Sequence, residues 1–176
     1  YEIRSCLVGS EMCIRDSIGA VCLSRPTNPS GNVVSDEELS QVASRCKAAG
    51  VPLIIDGAYG LPFPGMIYTE ATPFWDDNTI LCLSLSKFGL PGVRTGIVVG
   101  PPEVTKLISN ANAINGLAPA RTGPELVLPL LISHRLSELS EQVIRPHYLR
   151  KQRLAIEIMM TCLLYTSPSP RDKTVS

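Results

Sequence analysis

Five polar side chains in this 176-residue chain stand where apolar runs give way to loop, and their types suit chemistry on a shared ligand. Asn28, Asp56 and Ser84 each fall just beyond the carboxyl end of a short apolar run, and Lys87 and Arg94 follow in the loop after the third. Open α/β sheets bind ligands in the crevice outside those carboxyl ends, so three such ends can deliver polar groups to one place. An amine such as Lys87 becomes a nucleophile once desolvation or a cationic neighbour lowers its pKa. Arg94 carries a planar, permanently charged fork suited to a phosphate group. Each residue also has an ordinary structural explanation. Asn28 can form an Asx-turn before Pro29, Asp56 can cap a turn, and Lys87 and Arg94 can be solvated. The set says more than any member.

The elements that must position these groups follow from the pattern of apolar residues. Residues 18–23 form a continuously apolar run, which predicts a strand buried on both faces of a parallel sheet. The stretch 25–32 is rich in Pro, Asn, Ser and Gly and predicts a loop. Ser35 with Glu38 has capping-box spacing, Leu39, Val42, Ala43 and Cys46 form a helical stripe, and Gly50 ends it. Residues 51–55 predict the next strand, 79–83 a third, and 96–99 a fourth, the last two joined by the loop 84–92. Pro101 and Pro102 can open a helix with its stripe at Val104, Leu107, Ile108 and Ala111. A further helix is expected over 121–134, and a long one over 137–160 kinked at Pro146.

Composition narrows the classes. The chain has the length of one ordinary domain, 44% hydrophobic and 18% charged residues, and 16 basic against 16 acidic side chains. That balance predicts a buried core and gives no nucleic-acid footprint or membrane-surface patch. No apolar run approaches the roughly 18 to 20 residues of a membrane span, and the start lacks a secretory signal's order. Six cysteines, at 6, 13, 22, 46, 82 and 162, include no Cys-x-x-Cys pair. Cys22, Cys46 and Cys82 read as small hydrophobes in a reducing compartment, and no metal site is expected. His134 and His147 match no motif, and Asp76-Asp77 before Asn78 reads as turn chemistry.

The motifs Asn28-Pro29-Ser30-Gly31, Asp56-Gly57-Ala58-Tyr59, Ser84-Leu85-Ser86-Lys87 and Pro91-Gly92-Val93-Arg94-Thr95-Gly96 resemble, in order and spacing, those of the class I/II aminotransferases among the fold-type-I pyridoxal-phosphate enzymes. The segments 24–33 and 58–65 are most similar to the branch that works between valine or alanine and pyruvate. The resemblance implies an α/β fold, part of a large domain with a mostly parallel sheet flanked by helices and truncated at both ends. It implies pyridoxal 5'-phosphate as cofactor, with Lys87 forming the Schiff base and then shuttling a proton. Asp56 would face the pyridine nitrogen and keep the ring an electron sink. Arg94, Ser84 and Ser86 would hold the phosphate, and Asn28 and Tyr59 the ring hydroxyl oxygen. Lys87, Asp56 and Tyr59 are thus the expected catalytic residues, within a cofactor-binding set that adds Asn28, Ser84, Ser86 and Arg94.

The implied reaction passes an amino group between an aliphatic amino acid and a 2-oxo acid, in a cytoplasmic homodimer of amino-acid biosynthesis. Other pyridoxal-phosphate chemistry, by a lyase or decarboxylase, or an aminotransferase-like effector domain of a transcription regulator, remains open on the same scaffold. Residues 1–17 and 162–176 resemble translated sequencing-adapter read-through, leaving 18–161 as the central part of the large domain. The family's glycine-containing phosphate loop and ring-stacking aromatic are expected upstream of this segment, and its substrate-carboxylate arginine downstream. The chain as given is therefore expected to bind cofactor weakly and not turn over.

Overall fold

Four short strands, β1 (Val21–Ser24), β2 (Leu53–Asp56), β3 (Thr79–Ser84) and β4 (Gly96–Val99), pair side by side in that order. The computed structural model describes residues 18–117 and 120–163. The assignment of residues 1–17 and 162–176 as adapter-like tails lies outside the described residues, except that Cys162 and Leu163 continue the last helix. β1, β2 and β3 run parallel, while β4 is antiparallel to β3, with Ser84 opposite Gly96 and Cys82 opposite Val98. The sheet is thus mostly parallel and flanked by helices, as expected, with one antiparallel strand at its edge. The reversal at β4 matters, because it brings the start of β4 to the same sheet edge as the ends of the other three.

Between β1 and β2 runs helix α1 (Asp36–Ala48), opened by the expected capping box in which Ser35 and Glu38 satisfy each other's backbone N–H groups. Its stripe, Leu39, Ala43 and Cys46, packs in the core cluster with Leu53 and Ile55 of β2 and Leu81 and Leu83 of β3. Burial raises the Cys46 thiol pKa, with the Asp76 charge adding to it. The other face of the sheet carries Cys22, Ser24, Ile54, Asp56, Cys82, Ser84 and Val98, set there by the twofold alternation of strand side chains. Most of it stays half-buried or exposed.

Two expectations change here. The first strand is not buried on both faces: Cys22 is exposed and Ile18 is 54% exposed. β1 pairs only with β2 among the described strands, and its buried side is the one toward α1. Cys22 is therefore not a core residue. Helix α2 (Pro102–Gly116) forms where expected, yet none of its residues is buried. A helical stripe becomes core only when another layer covers it, and this one is covered only in part, with Val104 and Ile108 half-buried and Leu107 and Ala111 exposed.

Helices α3 (Thr122–Ile132), α4 (Arg135–Leu139) and α5 (Arg145–Leu163) complete the described chain. The expected long helix is interrupted before Pro146 by a π-turn, Ser140–Ile144, in which the Arg145 N–H bonds the Ser140 carbonyl. A proline inside a helix clashes with the carbonyl four residues earlier and cannot donate to it. Inserting one residue into the preceding turn moves that carbonyl aside. No described helix is long and apolar enough to cross a membrane.

Candidate active site

Asp56 is the last residue of β2, on the open face of the sheet and exposed. One carboxylate oxygen accepts the Ala58 N–H at 3.0 Å, the turn-capping role that an aspartate there can play. The other accepts the Ser24 hydroxyl at 3.3 Å. Ser24 ends β1 in register with Asp56, a neighbour that strand-end reasoning could have named. The Asp56 charge also contributes, after burial, to raising the Cys82 thiol pKa.

Lys87 sits at the centre of a 3-10 turn, Ser86–Phe88, just past the end of β3. Its flanking residues orient it. Leu85 is fully buried and Phe88 nearly so, and the Phe88 N–H bonds the Leu85 carbonyl. At three residues per turn these two side chains eclipse each other and anchor in the core, so Lys87 is directed elsewhere. Phe88 meets Phe63 edge to face, centroids 6.2 Å apart, which ties this turn to the loop after β2. Through that seam the Lys87 ammonium comes to 5.3 Å from the Tyr59 ring centre, within cation–π range.

Arg94 immediately precedes the Thr95-Gly96 start of β4. The Leu85 N–H bonds the Thr95 carbonyl, closing the loop into a hairpin that returns Arg94 to the turn carrying Lys87. Its guanidinium reaches the Ser86 hydroxyl at 3.5 Å, and Ser86 N–H in turn donates to Ser84 Oγ at 3.2 Å. Arg94 has left-handed backbone, φ 47° and ψ 47°, a conformation that costs a non-glycine residue about 1–2 kcal/mol. Gly123, in the first turn of α3, lies against Thr95 so closely that a Cβ there would overlap the threonine side chain. α3 is thus packed directly on the Arg94 end of the hairpin.

Asn28 and Tyr59 share the wall of a cavity of about 540 Å³, with Pro26, Val33, Met66 and Tyr68 from the two loops and Tyr148 and Lys151 from α5. Lys87, Asp56, Ser84, Ser86 and Arg94 do not line it. The seven residues singled out in the sequence therefore gather at one sheet edge as linked groups. Lys87 meets Tyr59, Tyr59 shares a cavity with Asn28, Arg94 meets Ser86, and Asp56 meets Ser24. The Phe63–Phe88 seam, Ser24, Lys151 and Tyr148 were not singled out, because their roles depend on neighbours far away in sequence.

Residues 11–153 match the family model for aminotransferase class I and II. The chain belongs to that family. A valine–pyruvate aminotransferase from Escherichia coli (strain K12) is 45% identical over 146 residues, spanning 83% of this chain and 35% of that protein. Among solved structures, a valine–pyruvate aminotransferase from Salmonella typhimurium LT2 is 44% identical with a TM-score of 0.78, covering 84% of this chain and 38% of that one. A putative amino-acid aminotransferase from Psychrobacter arcticum 273-4 is 49% identical, also with a TM-score of 0.78, over 82% of this chain and 33% of that one. This class I and II aminotransferase chain thus spans about a third of the length of the relatives it matches.

The family implies pyridoxal phosphate, and the donor set fits such a group. A half-buried amine, an exposed carboxylate, and a guanidinium beside two serine hydroxyls stand at one edge of one sheet. An amine suits an aldehyde, a carboxylate a protonated pyridine nitrogen, and a guanidinium a phosphate.

Proposed function

We propose that residues 18–161 are the central part of the large domain of a pyridoxal-5'-phosphate-dependent aminotransferase, flanked by foreign tails. The complete protein would transfer an amino group between valine or alanine and pyruvate, as a cytoplasmic homodimer. The substrate pair rests on similarity to the relatives named for it. The observation carrying the reading is the approach of Lys87 to Tyr59 at the edge that also bears Asp56 and Arg94.

When bound, the cofactor supplies an aldehyde and an electron-withdrawing ring. The rest is work for this chain's side chains. Lys87 Nζ would hold the cofactor through its aldehyde, and as a free amine would carry a proton to and from the substrate α-carbon. The Asp56 carboxylate keeps a proton on the ring nitrogen by stabilising its positive charge. Arg94 offers its fork to the phosphate, with the Ser84 and Ser86 hydroxyls as further donors. Asn28 and Tyr59 donate to the ring hydroxyl oxygen and favour its ionised form.

The test is to treat the complete protein with pyridoxal phosphate, reduce with borohydride and map the modified peptide. Modification at Lys87 is expected, and a label on Lys47, Lys106 or Lys151 instead would overturn the assignment. Valine-dependent alanine formation from pyruvate is expected of the complete protein and not of the 176-residue chain.

A further inference from the structure

Arg25 has no part in the chemistry assigned above, yet it is a charged residue only 5% exposed, with each of its three guanidinium nitrogens engaged. Nε donates to the Val34 carbonyl at 2.8 Å, one terminal nitrogen to the Thr72 carbonyl at 3.0 Å, and the other to the Asp36 carboxylate. That carboxylate also accepts the Thr72 N–H at 3.2 Å and the Thr72 hydroxyl at 2.8 Å. Three separate segments meet there: the loop after β1, the first turn of α1, and the end of the loop after β2.

The backbone of Arg25 repeats the connection. Its N–H bonds the Asp56 carbonyl at 3.0 Å, and its carbonyl lies so close to Gly60 that a Cβ at 60 would collide with it. Arg25 therefore grips both ends of the 25–34 loop, which contains Asn28. It also grips both ends of the 56–72 segment, which contains Tyr59. A buried guanidinium is expensive to desolvate and is retained only with its donors satisfied, and its planar fork fixes partner directions in a way an ammonium does not.

We propose that Arg25 is a positioning residue, whose buried guanidinium locks the Asn28 loop against the Tyr59 segment and so sets the spacing of the two side chains that share the cavity. The inference rests on the proposed function for its consequence, since Asn28 and Tyr59 there tune the cofactor's ring oxygen. It differs from a purely structural role in one respect. Loosening the lock must change how those donors meet the cofactor, as well as how stable the protein is.

The experiment uses the complete protein with bound pyridoxal phosphate and reads the pH midpoint of the cofactor's absorbance change, with melting temperature measured alongside. Arg25→Lys, Arg25→Met and Asp36→Asn are compared with Asn28→Ala. The expected result is a midpoint moved in the same direction as by Asn28→Ala, with no further movement in the Arg25→Met/Asn28→Ala double variant. A lower melting temperature with an unmoved midpoint in the Arg25 variants that still fold would overturn the proposal. Asp36→Asn keeps the guanidinium and most of the packing, so it serves if the Arg25 variants do not fold, and an unmoved midpoint there overturns the proposal equally. If the unaltered protein gives no cofactor spectrum, the proposed function has failed, and amide exchange in the present chain decides the lock separately. Arg25→Met should then speed exchange at Gly31 and Gly60 together by about tenfold or more, and unchanged rates at either would refute it.

Discussion

The Lys87 ammonium stands 5.3 Å from the centre of the Tyr59 ring, across a seam closed by the edge-to-face pair Phe63 and Phe88. Twenty-eight positions apart in sequence, the two are neighbours because each follows a different strand of one sheet and each is tethered by a buried phenylalanine nearby. The contact predicts an energetic coupling. A double-mutant cycle with Lys87→Met and Tyr59→Leu, read by urea denaturation of the cofactor-free chain, should give about 0.5–1 kcal/mol, the range for a partly exposed cation–π pair. Strictly additive losses would show that the approach carries no energy.

Gly60 has no room for a side chain. A Cβ there would run into the Arg25 carbonyl and the Gly57 Cα, both backbone, so neither can swing aside. Gly60→Ala should therefore cost about 1–3 kcal/mol, as other overpacked sites do. Gly19→Ala, where nothing lies within 4 Å, is the matched control and should change stability little. Equal denaturation midpoints for the two variants would mean that the Arg25 strand end does not sit against Gly60.

Arg94 pays for its location with a left-handed backbone at φ 47°. Glycine adopts that conformation freely, so Arg94→Gly should be more stable than Arg94→Ala by about 1 kcal/mol. Both remove the guanidinium, and both should weaken cofactor binding by the complete protein alike. A thermal melt and a cofactor titration on the same pair separate backbone strain from side-chain function.

The Asp36 carboxyl is held at about 2 instead of its ordinary 3.8, first by the hydrogen bond from Arg25 and then by the Thr72 hydroxyl and N–H. A depressed folded-state pKa contributes stability that is present above the unfolded value and lost as pH falls through the folded one. Stability of the chain should therefore decline between about pH 4 and pH 2. Asp36→Asn should be less stable near neutrality and show a shallower decline in that window. An identical acid slope in both proteins would dissociate Asp36 from the buried arginine.

Much of the local structure was legible in order. Ser35 and Glu38 announced the start of α1, the apolar runs announced four strands within a few residues of their ends, and the polar groups following them fall together at one sheet edge. These signals are local, since a cap needs only the next turn and a buried strand only its own side chains. Even Pro146 disturbed its helix near the expected place, although by an inserted residue in the turn before it and not by a bend alone.

What the sequence by itself determined is the inventory: an amine, a carboxylate, a guanidinium and their helpers, each assigned to a strand end and each matching the motifs of one enzyme family. Only the tertiary structure decided which of them meet. The antiparallel course of β4 returns Arg94 to Ser86, and the packing of Phe63 on Phe88 brings Tyr59 to Lys87. The exposure of Cys22 and of most of α2 was likewise undecided by residue type, because an apolar side chain is buried only if another layer arrives to cover it. Arg25 shows the same thing from the other side. Its charge argues for solvent, and it is buried because partners 9, 11 and 47 residues away each take a bond from one of its three nitrogens.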